Sequence, residues 1–304
     1  MLRRRLLPAA TRMAAAAVPG GAGAAVAVTP SPLATSAAVL GLANAVGFAI
    51  SAYSSSHLHL DLIGTGAFAL TALATWGGEA RQRASAVGMA IWATKLSSFL
   101  FYRALEVKHD ARLTSTLSTT SGAFGFWAIS FVWGWVVSLP HTIAAGVPLA
   151  GRPRFGQPAD VAGIALFALG LFVESLADYQ KWRFKHEAAN RGHFCDVGVW
   201  QISQHPNWLG NWLLWCGMCL LNAPTLLADS PAGAGWLRRY GRLAAAAASP
   251  AFLLALFYAQ ATDTLANTAE LARNKYGHQT RFQQYEASTP LVLPTPKSLA
   301  RLFA

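Results

Sequence analysis

Between residues 174 and 212 the chain concentrates side chains able to hold and transform a charged small molecule. Glu174, Asp178, Lys181 and Lys185 are spaced by four, three and four, so a helix stacks them along one face, acid followed by base. That layout serves either a surface ion-pair ladder or a site that takes an anion. Trp200 to Trp212 then reads Trp-Gln-Ile-Ser-Gln-His-Pro-Asn-Trp-Leu-Gly-Asn-Trp. Pro206 suits the first turn of a helix, where its missing N–H has no intrahelical partner to lose. His205 and Asn207 then stand at the positive end of the helix dipole, where an anion is favoured. Without chemistry, the same residues read as a capped interfacial helix whose Trp200, Trp208, Trp212 and Trp215 form an aromatic belt. Reduction of a conjugated C=C bond needs a hydride donor and an acid or hydrogen-bond donor that polarises a carbonyl. Tyr102, Tyr179, Glu174 and His205 have the right chemistry, and spacing alone fixes none of them.

Charges within apolar runs are expensive, which makes each a site hypothesis. They are Asp61, Lys95, Arg103, Glu174 and Asp178. Asp61, beside His57 and His59, reads as a satisfied interfacial cluster. Lys95 lies too deep to snorkel and implies a polar cavity, with Arg103 eight residues along the same helix and about 80° around it. Metal chemistry is not expected: the eight histidines show no paired clusters, and His193-Phe194-Cys195-Asp196 is only weakly ligand-like. Cys216 and Cys219 sit in an apolar run as small buried thiols, and no disulfide framework is implied.

The elements that position these groups follow from composition. The chain has 304 residues, 54% hydrophobic and 12% charged, where a soluble domain carries roughly 25% charge. An ordinary soluble enzyme is excluded. Apolar runs approach the roughly 20 residues a bilayer crossing needs. They predict an all-α polytopic membrane protein with about seven transmembrane helices, near 33–53, 58–78, 84–103, 121–140, 160–177, 207–228 and 243–262, in one domain from 31 to 304. The net charge of +11 is spread over the loops and does not call for nucleic acid. Residues 1–30, with Arg3, Arg4, Arg5 and Arg12 and no acid, read as a transit peptide or a disordered tail. With that segment removed, the 104–120 loop, the 178–206 loop and the tail carry the larger share of Lys and Arg, which puts them on the cytosolic, stromal or matrix side. With it retained, the two sides are equal.

Trp200 to Gly217 resembles the Trp-x-x-Ser-Arg-His-Pro-Asn-Tyr-Phe-Gly-Glu signature of the steroid 5-alpha-reductase C-terminal-domain-like family, part of a wider sterol reductase superfamily. Trp92-x-x-Lys95-Leu96 with Phe101, Arg103, Asp110 and Arg112, then Val136 to Pro140, is similar to a second block of that family. Glu270 to Gly277, Phe282, Tyr285, Thr289-Pro290 and Pro294 are similar to its closing block, so the likeness covers about residues 85 to 296. The resemblance implies a membrane-embedded reductase of a C=C bond in a steroid- or isoprenoid-like lipid, with NADPH enclosed by the loop after the fifth span, the His-Pro-Asn helix and the tail. It implies cofactor-binding roles for Arg103, Asp178, Lys181, Lys185, His205, Asn207, Asn211, Glu270, Tyr276 and Tyr285. Asp178 and Lys185 would hold ribose and phosphate, Asn207 would hydrogen-bond the cofactor, and Tyr276 and Tyr285 would close over it. Gln204 and Asn211 replace the family's Arg and its acid, as if a mutual ion pair had been lost.

Two other classes fit part of this pattern. Membrane S-adenosylmethionine-dependent methyltransferases of the isoprenylcysteine or phospholipid type share an Arg-His-Pro helix and a Glu-rich tail, more weakly matched here by Gln204-His205-Pro206, Glu270 and Tyr276. A non-catalytic subunit of an organelle membrane complex is consistent with Gln204 and Asn211. A transit peptide would direct the protein to a mitochondrial or chloroplast membrane, and its absence to the endoplasmic reticulum.

Overall fold

The computed structural model describes residues 30–303 apart from 55, 57, 108–116, 118, 229–234 and 266–267, together with the side chain of Arg238. The expected leader, His57, and the Lys108, His109, Asp110 and Arg112 element lie outside the described residues. Those that are described form helices and no strands. We number the helices α1 (Pro32–Ser54), α2 (Leu60–Ala74), α3 (Ala80–Val107), α4 (Thr120–Val137), α5 (Leu139–Ala145), α6 (Pro158–His186), α7 (Pro206–Leu226), α8 (Trp236–Ala261), α9 (Thr268–Tyr276), α10 (Thr280–Ser288) and α11 (Pro296–Leu299).

Among the described residues five stretches are long and apolar enough to cross a membrane: α1, α3, α4, α6 and Arg239–Ala261 of α8. Of the other two expected spans, α2 is an apolar helix of 15 residues. The other, α7, carries Asn207, Asn211, Asn222 and an internal Pro224, and much of its surface is buried in the bundle. The expected 121–140 segment breaks in two. Pro140 cannot donate to the backbone, and its ring would crowd the preceding turn, so α4 ends at Val137 and α5 restarts at Leu139. The expected 160–177 segment instead runs through the polar stretch to His186. The Asp160 carboxylate accepts the backbone N–H groups of Gly156 and Gln157 at its start, and Arg183, Lys185 and His186 favour its negative end.

Packing alternates in direction. Antiparallel α6 and α7 cross on glycine: Gly163 lies against the Leu221 and Gly217 backbone, and Gly170 against Leu214 and Gly210, where any Cβ would overlap main-chain atoms. By contrast α3 and α6 run parallel, since Arg81 meets Asp160 and Lys95 meets Glu174 with the same interval along both. An aromatic core of Phe68, Trp92, Trp133 and Trp215 joins α2, α3, α4 and α7 with centroids 5.1–5.6 Å apart.

One end of the bundle is closed by Arg81, fully buried, whose guanidinium donates to Asp160 at 2.6 and 2.9 Å, to the Pro153 and Arg154 carbonyls and to Thr225 Oγ1. Arg152 pairs with Glu79 at the same end, so the 79–83 and 148–158 loops lie together. Beside them His141, also buried, is held by Thr75 and Ser85 hydroxyls at 2.8 Å. Near the other end of α1, His59 is satisfied by Ser51 and the Gly47 carbonyl and stacks on Trp127, which accounts for it as a structural residue.

Candidate functional site

The opposite end holds the chemistry. The acid–base series on α6 is divided between two neighbours rather than forming one ladder. Its acidic half turns to α3: Lys95 Nζ donates to Glu174 at 3.3 Å and to Asp178 at 2.9 Å. Glu174 is buried and also accepts from Asn211 Nδ2 at 2.8 Å and Trp92 Nε1 at 3.3 Å. A buried carboxylate requires such partners, and here it has donors from two other helices. The depth of Lys95 is thus explained by two acids, where the sequence suggested a polar cavity; Lys95 does not line the cavity described next. Arg103, partly buried, acts on Asp178 from the same helix as Lys95.

The basic half turns to a cavity of about 240 Å³. It is lined by Lys181, Lys185 and Phe194 from the α6 end and the loop after it, by Gln204 and His205 before α7, and by Ala272, Tyr276 and Tyr285 from the tail. Lys181 lies over the Trp200 ring at 4.3 Å, and Lys185 donates to the Tyr276 hydroxyl at 2.8 Å and to the His193 carbonyl. The α6 end, the start of α7 and the tail therefore meet at one site. Its wall is aromatic: Phe194 packs on Tyr276, Phe282 and Tyr285 with centroids 5.1–6.2 Å apart.

The tail is fixed by main-chain bonding. Gln204 and His205 donate their backbone N–H groups to the Pro290 and Leu291 carbonyls, and the Gln204 side-chain amide donates to Glu286 and Thr289 carbonyls at 3.1 and 2.7 Å. Tyr285 donates to the Trp200 carbonyl at 2.8 Å. Gln204 and Asn211, read together from sequence as a lost ion pair, have separate partners, Gln204 in the tail and Asn211 in Glu174. Their joint departure from the signature is therefore two local adjustments.

His205 forms a stack with Trp208, at 3.9 Å and 10°, and Trp208 with Phe257, at 5.3 Å and 10°. Burial in that packing, with the nearby Lys181 charge, pushes His205 down to about 3, so it is a neutral imidazole at physiological pH. Asn207 Oδ1 is buried without a hydrogen-bond partner, as are Asn44, Asn211 and Asn222 Oδ1 and Trp215 Nε1, and Asn207 does not line the cavity.

The other site residues expected from sequence lie elsewhere. Tyr102 is half exposed against Trp182, and Tyr179 is similarly exposed, with its hydroxyl accepting from Arg183; neither lines the cavity. Glu270 is exposed on α9 while Ala269 and Ala272 of the same helix line the cavity. Phe194, Phe282 and Gln204 were missing from the expected set. Phe194 sat in a segment read for metal ligands, whereas Asp196 there is paired with Arg281 at 2.7 Å and Cys195 lines the cavity with its thiol pushed up by burial. Cys216 and Cys219 are free and partly buried.

Fold and site define a multi-pass helical membrane protein with a basic, aromatic-walled cavity at one end of its bundle. The chain belongs to the DUF1295 family, described as protein of unknown function, which matches residues 47–289. No curated protein and no solved structure matches it.

Proposed function

We propose that this protein is a steroid 5-alpha-reductase-like enzyme, a membrane-embedded NADPH-dependent reductase of a C=C bond in a steroid- or isoprenoid-like lipid. The observation that carries the reading is the meeting of Lys181 and Lys185 with Gln204 and His205 before α7 and the Tyr276 and Tyr285 tail around one cavity. These are the three segments that the resemblance assigns to the cofactor, and they are far apart in sequence.

The residues fit a phosphate-bearing cofactor: two ammonium groups, of Lys181 and Lys185, supply charge at the cavity wall. Bound there, NADPH would supply the hydride. The chain's own part is to bind, orient and exclude water: Lys181 and Lys185 hold phosphates, the neutral His205 and the aromatic wall of Phe194 and Tyr285 keep the site dry, and the pinned tail covers it. Tyr102 and Tyr179 face outward and His205 is held neutral, which leaves Tyr276 on the wall as the proton-donor candidate. Alternation of α1, α2, α3, α4, α6, α7 and α8 supports seven crossings, with the polar α7 packed closely against α6 on glycine.

The test is equilibrium binding and turnover with full-length protein in lipid nanodiscs. NADPH should bind with micromolar or better affinity, and a steroid 4-en-3-one should be reduced at its double bond. Binding of S-adenosylmethionine in place of NADPH would move the protein to the methyltransferases, and binding of neither would make it a non-catalytic subunit.

A further inference from the structure

The end of the bundle that Arg81 closes, away from the cavity, has a composition of its own. The 79–83, 148–158 and 229–242 loops carry two, two and three basic residues, and all seven are arginine. At the cavity end lysine and arginine are mixed, as in Lys181, Arg183, Lys185 and Arg191. A guanidinium presents a planar fork of donors that matches a phosphate with two bonds at once, whereas an ammonium meets it as a point charge.

Two of these arginines are engaged inside the protein, and they take the acids with them. Arg81 is buried on Asp160, which also accepts the Gly156 and Gln157 N–H groups. Arg152, its side chain nearly buried, shares Glu79 with Arg81 and donates to the Ala145 and Val147 carbonyls. Arg83 and Arg154 are exposed at the same end and form no ion pair with any described residue, and Arg242 donates to the uncharged Ala228 carbonyl. Arg81 ties these loops together, since it also reaches the Pro153 and Arg154 carbonyls and Thr225 Oγ1 in the last turn of α7. Trp76, Phe155 and Trp236 stand exposed among them, and the Arg239 guanidinium lies over the Tyr240 ring at 5.4 Å. Exposed aromatic rings interleaved with cations suit the depth at which lipid headgroups meet acyl chains.

We propose that this arginine-rich end binds the phosphates of anionic phospholipids, with Arg83, Arg154 and Arg242 on the phosphates and Trp76, Phe155 and Trp236 beside the upper acyl chains. The partner is a lipid because the exposed rings need an apolar medium next to the charge, which nucleic acid and acidic protein do not offer in a bilayer protein. Burial of the Arg81 and Arg152 pairings keeps Asp160 and Glu79 from neutralising their neighbours, so the surface stays positive. The site does not depend on the reductase reading, whose cavity is at the other end.

The experiment takes full-length protein in nanodiscs of phosphatidylcholine alone and of phosphatidylcholine mixed with phosphatidylglycerol. The mixed bilayer should raise the melting temperature by several degrees, because a ligand of the folded state stabilises it. Arg83→Ala combined with Arg154→Ala should abolish most of that gain and weaken phosphatidylglycerol retention, followed by native mass spectrometry, roughly thirtyfold, or about 2 kcal/mol for two arginines at an anionic surface. Arg83→Lys combined with Arg154→Lys, which keeps the charge and loses the fork, should fall between the alanine pair and wild type. Arg191→Ala combined with Lys297→Ala, two exposed cations of the cavity end, should keep the gain. Melting in phosphatidylcholine alone checks the fold of each variant. The site is overturned if wild type melts alike in the two bilayers, if the cavity-end pair loses as much as the arginine pair, or if the lysine pair retains the lipid as wild type does. It is also overturned if inorganic phosphate added to phosphatidylcholine discs reproduces the gain, since the ligand is then a free anion.

Discussion

Asn211 donates its side-chain amide to Glu174 at 2.8 Å, at the position where the resembled signature carries an acid. An acid there would face a buried carboxylate that already shares Lys95 with Asp178. The neutral amide is therefore required by Glu174, and the two positions should be coupled. Asn211→Asp should destabilise the protein by about 3 kcal/mol, the scale of an uncompensated buried charge. Adding Glu174→Gln, which can donate to the new acid, should recover most of that loss. Denaturation midpoints of the single and double variants measure it, and additive losses would show that the two residues act separately.

Asn207 gives a cleaner separation of binding from stability than an ordinary capping residue does. Its Oδ1 is buried and unsatisfied within the protein, so Asn207→Leu removes an acceptor that contributes nothing to the folded chain. The melting temperature should hold or rise while NADPH affinity falls roughly ten- to hundredfold, about 1–3 kcal/mol. A lowered melting temperature with unchanged affinity would make Asn207 structural.

Reversing the charge of Lys185 should weaken NADPH at least tenfold, because the ammonium lies on the cavity wall against Tyr276. Exposed Lys297 is the control, and Lys297→Glu should change affinity by less than twofold. Arg301 would serve poorly, since it is tied to the Gln201 and Ser288 carbonyls and to Thr289. Equal effects of the two lysine reversals would remove the phosphate role.

His205 also predicts how stability depends on pH. Its folded value is depressed to about 3 from an ordinary 6.5, so the unfolded chain binds the proton more readily. The stabilisation is complete above about pH 6.5 and is lost as pH falls towards 3, by at most about 1.4 kcal/mol per unit. Between pH 6.5 and 5, His205→Phe should lose less stability than wild type. Parallel slopes for the two proteins would show that His205 is not held neutral.

Much of this arrangement was legible in the sequence where one residue type has one physical consequence. Apolar runs gave helices, Pro206 gave the start of α7, and the basic ends of Lys181 and Lys185 gave an anion-favouring wall. The break at Ser138 was hidden because Pro140 stands inside an otherwise continuous apolar run. The division of the α6 series was hidden for a different reason: helical periodicity places Glu174, Asp178 and Lys181 on one face, but whether an acid turns to Lys95 or to the next lysine depends on how α3 lies against α6. Gln204 was likewise read against an absent ion pair, when its partners are main-chain carbonyls whose position only the folded tail defines.

The two charged crossings between α3 and α6 bear on how the chain is made. Arg81 and Lys95 leave the ribosome in α3, and each waits 79 residues for its acid, Asp160 or Glu174. Until α6 is synthesised, Arg81 has Glu79 alone at 3.5 Å and Lys95 has neither of its two acids, a state that lipid disfavours. Release of α3 into the bilayer is thereby postponed until its partner helix arrives. Ribosome-stalled chains that end short of Asp160 should leave α3 next to the insertion machinery, detectable by site-specific cross-linking, and chains that extend past Asp178 should release it. Charge pairing here sets the order of assembly as well as the strength of the finished bundle.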